Sequence, residues 1–226
     1  MQRWARFCEA RIAMASRTSI LMLIGAAALT AACSSTPPPE TPPIEAPAPE
    51  PKEPVPPPPP PCEALSEDCA AEAETRARIA KSELRIRPVK GWKYAQGADA
   101  TVAQSSEEGA AMAVAEVETG TDAKAEPGKR DEALEALAKQ INVTLPKKKV
   151  TWKKPLEEKS VGEMKLGLWQ LDGATRGEKK GPLLIFAGPT SEGKVILGIG
   201  FVPEDDSSGS DAAILESIES ISAAEK

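Results

Sequence analysis

Histidine is absent from the chain. That removes every His-dependent catalytic triad, every His-ligated zinc site and the usual general base near neutral pH. Aromatic residues are scarce as well. Four Trp, three Phe and one Tyr are 4% of 226 residues, too few for the stacking platforms that hold single-stranded nucleic acid or sugar. A positive surplus is also missing: the net charge is −6, and a nucleic-acid binder concentrates basic charge on one face. No nucleic-acid partner is therefore expected. Short basic runs do occur at Lys147-Lys148-Lys149, Lys153-Lys154 and Lys179-Lys180. Acidic residues lie near each, so they read as solvated strand ends and loops, with a patch for an anionic partner as the alternative. The longest apolar run, Ile20 to Ala32, falls short of the roughly 20 residues a membrane-spanning helix needs.

What is present divides into three compositions. Residues 1–32 read as an export signal: Arg17, then the apolar run, then small residues. Met14 gives a more compact start than Met1, because Met14-Ala-Ser-Arg leads straight into that run; the expected true start is Met14. Residues 33–61 are dominated by proline, with Pro37-Pro38-Pro39, Pro42-Pro43 and the run Pro56 to Pro61. Proline fixes φ and has no N–H, so this segment is expected to be a disordered tether favouring polyproline II, reaching about 75 Å if fully extended. Residues 62–226 carry mixed composition and apolar periodicity, and are expected to form one globular domain.

The segment Leu29-Thr30-Ala31-Ala32-Cys33 resembles the lipobox of bacterial lipoproteins, with Leu29 one place further from the cysteine than is usual. The resemblance implies cleavage before Cys33, a diacylglyceryl thioether on its sulfur and an acyl chain, such as palmitate, on its new amino group. Two or three chains anchor stably where one is marginal. Ser34, rather than Asp, follows the lipidated position; by resemblance to Gram-negative sorting rules this implies the outer membrane, facing the periplasm.

Cys62 and Cys69 remain once Cys33 is lipidated. In an oxidising compartment they are expected to form a disulfide. One helix would hold them about 10 Å apart, too far to bridge. The bond therefore asks for Cys62 in a loop and a helix starting near Ser66. Two thiolates without histidine leave a metal set incomplete.

Periodicity predicts a polar, Ala-rich helix over 67–82, then a short strand in which Leu84 and Ile86 alternate with Arg85 and Arg87, ending at Pro88, and a turn through Val89-Lys90-Gly91-Trp92. Residues 100–105 and 110–118 read as a hairpin around Ser106-Glu107-Glu108-Gly109. A helix is predicted at 130–142, with Leu134, Leu137, Ala138 and Ile141 on one face and Pro127-Gly128 breaking the chain before it. Val150 and Trp152, Met164 to Leu168, Leu183 to Ala187 and Val195 to Val202 read as strands, the last two buried on both faces. A final helix is predicted at about 210–222, with Ser210 as N-cap. The expected class is α+β: an antiparallel sheet of about six or seven strands with two or three packed helices.

A strand running into Pro88-x-x-Gly91-Trp92, a hairpin, a middle helix, a strand meander and a last helix through Ile214-Leu215-Glu216-Ser217-Ile218 resemble the PsbP-like fold, which includes DcrB-type lipoproteins. The resemblance spans about residues 83–222. It implies a non-enzymatic binding or assembly-assisting sandwich with no catalytic residues, and a packing role for Trp92.

Three motifs come close to known sites. Gly188 to Lys194 nearly spells a P-loop, but Val195 cannot ligate Mg²⁺ and a strand follows where a helix is needed. Ser191-x-x-Lys194 matches one element of penicillin-recognising enzymes without the other two. Asp205, Asp206 and Asp211 resemble part of a calcium loop, with Leu215 where the final carboxylate belongs. They are a weak calcium candidate beside an acidic helix-capping loop. No cofactor and no catalysis are expected. The expected function is that of a membrane-anchored, non-catalytic envelope lipoprotein whose domain binds a protein partner or a small ligand. A structural, envelope-organising role is the alternative, and a hydrolase using a carboxylate or a Ser–Lys pair is a distant third.

Overall fold

A computed structural model describes residues 62–223. They lie in one compact unit, residues 56–226. The expected signal peptide, Cys33 and the whole proline-rich segment, 33–61, lie outside the described residues.

The fold is α+β, built on an antiparallel sheet of eight strands. Its strands are β3 (Lys93–Gln96), β4 (Thr101–Gln104), β5 (Ala111–Glu118), β6 (Val143–Thr144), β7 (Glu157–Val161), β8 (Met164–Arg176), β9 (Lys179–Ser191) and β10 (Lys194–Phe201). Their order is β3-β4-β5-β10-β9-β8-β6, with β7 also paired to β8. A second sheet of three short strands, β1 (Ala77–Arg78), β2 (Leu84–Ile86) and β11 (Ser222–Ala223), runs in the order β1-β2-β11. Two helices accompany them, α1 (Glu126–Gln140) and α2 (Ser210–Glu219).

Alternation along the long strands produces two cores. On β10, Val195, Leu197, Ile199 and Phe201 are all buried at odd positions; on β9, Leu183, Ile185 and Ala187 match them. This face packs against Leu134, Leu137 and Ala138 of α1. Even positions such as Ile196, Phe186, Met112 and Val114 look the other way, onto Ile214 and Ile218 of α2 and onto Ile79 and Ile86 near the small sheet. A sheet covered on both faces explains the continuous apolar runs at 183–187 and 195–202.

Several expected elements take a different form. The expected helix at 67–82 is a short 3-10 turn, Glu67–Cys69, followed by extended chain and β1. Ser66 precedes the turn but makes no side-chain cap. The stretch lacks a helical apolar stripe, and its apolar residues Ala77 and Ile79 alternate with exposed Arg76 and Arg78. Pairing with β2 therefore wins over alanine's helix propensity. Val150 and Trp152 are not in a strand; they lie in a loop and pack against the α1 core. Pro127 does not precede the middle helix but sits in its first turn, where the missing N–H has no helical acceptor to lose. That helix ends at Gln140 because Asn142 enters the left-handed region, φ +55°. The last helix starts at Ser210 as a helical residue, with Gly209 (φ +79°) before it. The expected count of six or seven strands falls short of eight because β3, β6 and β7 are short and carry little apolar alternation, and the strand expected at 84–87 belongs to the small sheet instead.

Cys62 and Cys69 are joined, with Cα atoms 5.7 Å apart. The loop they close lies along β3, the edge of the main sheet. The amide of Gln96 donates to Cys62 O at 2.6 Å, and that of Ala71 donates to Trp92 O at 2.8 Å. Covering an edge strand in this way removes a template for pairing with other chains.

Candidate functional site

The described residues form a groove of about 780 Å³ between α1 and the end of β5. Its floor is apolar: Ala115 and Val117 from the sheet, Ala133, Ala136 and Leu137 from the helix. The helix supplies Lys129, Glu132, Ala133, Ala136, Leu137 and Gln140, spaced three and four apart, so one stripe faces the groove.

Charges of both signs ring that floor. Lys81 pairs with Asp99 at 3.1 Å. Glu116 is the most enclosed of the acids; its carboxylate accepts from Thr190 Oγ1 at 2.8 Å and from Lys194 Nζ at 3.2 Å. Ser82 Oγ approaches the same oxygen as Thr190, at 3.4 Å. These partners hold Glu116 in place in the wall. Lys129, Glu132 and Glu118 complete the rim. The arrangement suits a ligand with an apolar middle and polar or charged ends.

The residues singled out by sequence are distributed differently. Comparison with protein-family models and with curated proteins finds no match to this chain. Cys33 lies outside the described residues. Trp92 is buried on the α2 side. Gly188 to Lys194 forms the β9–β10 hairpin, with Gly193 at φ +71° in its turn. Ser191 is exposed, and Lys194 is engaged by Glu116.

The three calcium-candidate aspartates do not converge. Asp205 pairs with Lys179. Asp211 accepts the neighbouring Ala212 amide at 2.8 Å. Asp206 is turned inward: one oxygen accepts Ser208 N at 3.1 Å and Ser208 Oγ at 2.7 Å, the other Ser210 N at 3.3 Å. Among the described residues no three acids, cysteines or histidines are grouped to hold a metal. Asp206 thus satisfies the start of α2, where free amides and the helix dipole favour a negative group. Partial burial pushes its carboxyl upward, but the hydrogen bonds from Ser208 and Ser210 outweigh this and hold it below the ordinary value.

A pH-dependent contribution follows. A carboxylate with a depressed folded pKa stabilises fully above its unfolded value, about 3.9, and loses that effect as pH falls through the folded value. Asp206→Ala is expected to cost about 1 kcal/mol near neutral pH, by loss of capping bonds. The gap between variant and wild type should close as urea melts are repeated below about pH 4. A gap independent of pH would show that the charge of Asp206 does not cap the helix.

The sequence reading missed the groove and also a buried cation. Arg176, at the end of β8, is 1% exposed. Its Nε donates to Ile141 O at 2.7 Å, and its Nη1 to Gly109 O at 2.7 Å and Ser106 O at 3.0 Å. Nη2 donates to Gln104 Oε1. Burial lowers the guanidinium's pKa, and Glu107 and Glu108 oppose that shift. With all its partners acceptors from the chain itself, Arg176 is a structural fastener.

Proposed function

We propose that this chain is a lipid-anchored envelope protein, held at the outer membrane by Cys33, whose folded domain works by binding rather than by catalysis. The observation that carries this reading is Leu29 to Cys33 placed directly after an apolar export segment and directly before a proline-rich spacer. Two or three acyl chains would make the attachment stable, and the spacer would give the domain reach. The groove beside α1 is the binding surface in this reading, accepting a small ligand or a segment of an envelope protein. We assign the domain to the PsbP-like sandwiches. Support comes from the covered sheet, with α1 on one face and α2 with the small sheet on the other, and from the strand that runs into Pro88 to Trp92. Among the described residues no helix is long and apolar enough to cross a membrane.

The anchor is tested by labelling. Cells expressing the wild-type chain and fed radiolabelled palmitate are expected to yield a labelled protein that partitions into detergent. Cys33→Ser is expected to lose all of the label. A wild-type chain that carries no acyl group would sink the reading. Binding at the groove is tested by a photo-crosslinking residue at exposed Ala136, compared with one at exposed Lys90 on the far turn. Adducts in intact cells specific to position 136 are expected; equal yields at both positions would remove the groove from the function.

A further inference from the structure

The two lysine runs lie on one exposed loop of the folded domain, between β6 and β7. Between Pro146 and Leu156 there are five lysines, Lys147, Lys148, Lys149, Lys153 and Lys154, and no acid. All five are exposed. This occurs in a chain of net charge −6, so the loop opposes the charge of the whole. Glu157 and Glu158 lie just beyond it, on β7. Of the nearby acids, Asp131 is engaged, accepting Trp152 Nε1 at 2.8 Å and lying 3.7 Å from Lys149.

The loop is braced from beneath. Trp152 meets Trp169 edge-on, with ring centroids 5.2 Å apart, and the Arg130 guanidinium lies 5.5 Å from the Trp152 ring. Trp169 Nε1 donates to Thr151 O at 3.1 Å. The amide of Leu156 donates to Leu168 O at 2.8 Å, fixing the other end to β8. Two prolines, Pro146 and Pro155, restrict the backbone further. The lysines are therefore held out on a fixed base, so little ordering entropy is lost on contact. Beside Lys153 and Lys154 stands Leu156, a large apolar side chain 74% exposed.

Clustered lysines with an adjacent exposed apolar residue match a membrane surface rich in anionic headgroups: phosphates attract the ammonium groups and the apolar side chain enters the interface. We infer that the 146–156 loop is a footing that sets this domain down on an anionic lipid surface. The source of that surface rests on the lipid-anchored reading above. A covalent anchor plus a basic patch is the two-signal arrangement that makes membrane attachment firm.

The test removes the anchor so that the two readings fail separately. The chain from residue 33 onward, carrying Cys33→Ser and no lipid, is sedimented with vesicles of phosphatidylglycerol and phosphatidylcholine, and with pure phosphatidylcholine vesicles. Binding is expected to the anionic vesicles, to fall steeply with added salt, and to be absent from the neutral ones. Each lysine near such a surface is worth about five-fold in affinity. Lys153→Gln with Lys154→Gln is expected to lower affinity about 25-fold, and Leu156→Ser about ten-fold. Arg85→Gln with Lys90→Gln, the same change in charge at exposed sites on the α2 side of the main sheet, is expected to change it less than about three-fold. Near-ultraviolet circular dichroism of the tryptophans checks that each variant keeps its fold, and the salt dependence of the unsubstituted chain stands if one does not. Equal binding to both vesicle types, or equal losses for the two double variants, would overturn the inference. So would sedimentation with peptidoglycan and none with vesicles.

Discussion

Replacing Arg176 by alanine is expected to lower the stability of the domain by about 3–4 kcal/mol, with a fall in Tm of about 10 °C. The guanidinium joins the end of β8 to two distant pieces of chain: the carbonyl just after α1, and the β4–β5 hairpin, through its turn and the side chain of Gln104. Removing it leaves three backbone carbonyls and an amide oxygen short of a donor. Each unsatisfied buried group costs about 1–3 kcal/mol. The sum stays below the maximum because Ser106, Glu107 and Glu108 are exposed, so water can reach part of the site. Arg176→Lys keeps the charge but replaces a planar fork with one ammonium, which cannot serve four acceptors in different directions. It is expected to recover less than half of the loss. Chemical denaturation of the three proteins at one pH decides the point. An alanine variant within about 1 kcal/mol of wild type would mean that the turn and helix end hold themselves.

Arg176 also shows where sequence reading stops. At the end of an amphipathic strand an arginine reads as solvated, and nothing local shows that residues 104, 106, 109 and 141 will surround it. The groove was hidden for the same reason: its walls come from positions as far apart as Lys81 and Lys194. What could be read was local. The β4–β5 hairpin was legible because apolar alternation flanks a polar turn with glycine. The strand runs at 183–187 and 195–202 were legible because both faces are covered. The stripe Ile214, Leu215 and Ile218 announced α2 and its buried face, but the helix ends at Glu219 rather than near 222, and Ile221, expected on the same stripe, is buried beyond it, before β11. Where two signals disagree, composition misleads. Residues 76–79 alternate Arg, Ala, Arg, Ile in the same rhythm as Leu84 to Arg87, and the abundance of alanine nearby masked it. At Val150 and Trp152 the alternation was present but the strand was not. There the indole N–H is committed to Asp131 and the backbone follows the side chain into a loop.

The glycines of β10 carry a second large effect, with a change of sign built in. Gly198 faces Phe186 directly across the β9–β10 ladder. A Cβ on Gly198 would lie 2.0 Å from Cζ of that ring, and the ring is fully buried. An aromatic residue folded over a strand glycine fills the space the glycine leaves. Two residues on, a Cβ on Gly200 would meet Ile214 Cγ2 at 2.7 Å, so α2 sits close on the sheet and limits how far Phe186 can retreat. Gly198→Ala is therefore expected to cost about 3 kcal/mol through overpacking, although alanine is normally better than glycine in a strand by about 0.5–1 kcal/mol. Phe186→Val should cost about 2–3 kcal/mol by itself, from lost burial and the cavity it opens. In that background the methyl group of Gly198→Ala enters empty space, and the same substitution is expected to become neutral or to stabilise by about 0.5 kcal/mol. The coupling across the double-mutant cycle would then be about 3 kcal/mol in magnitude, at the upper end for residues in contact. Urea melts of the four proteins measure it. Additive effects within about 0.5 kcal/mol would show that Phe186 moves freely, and that the close seat of α2 on this strand does not constrain it.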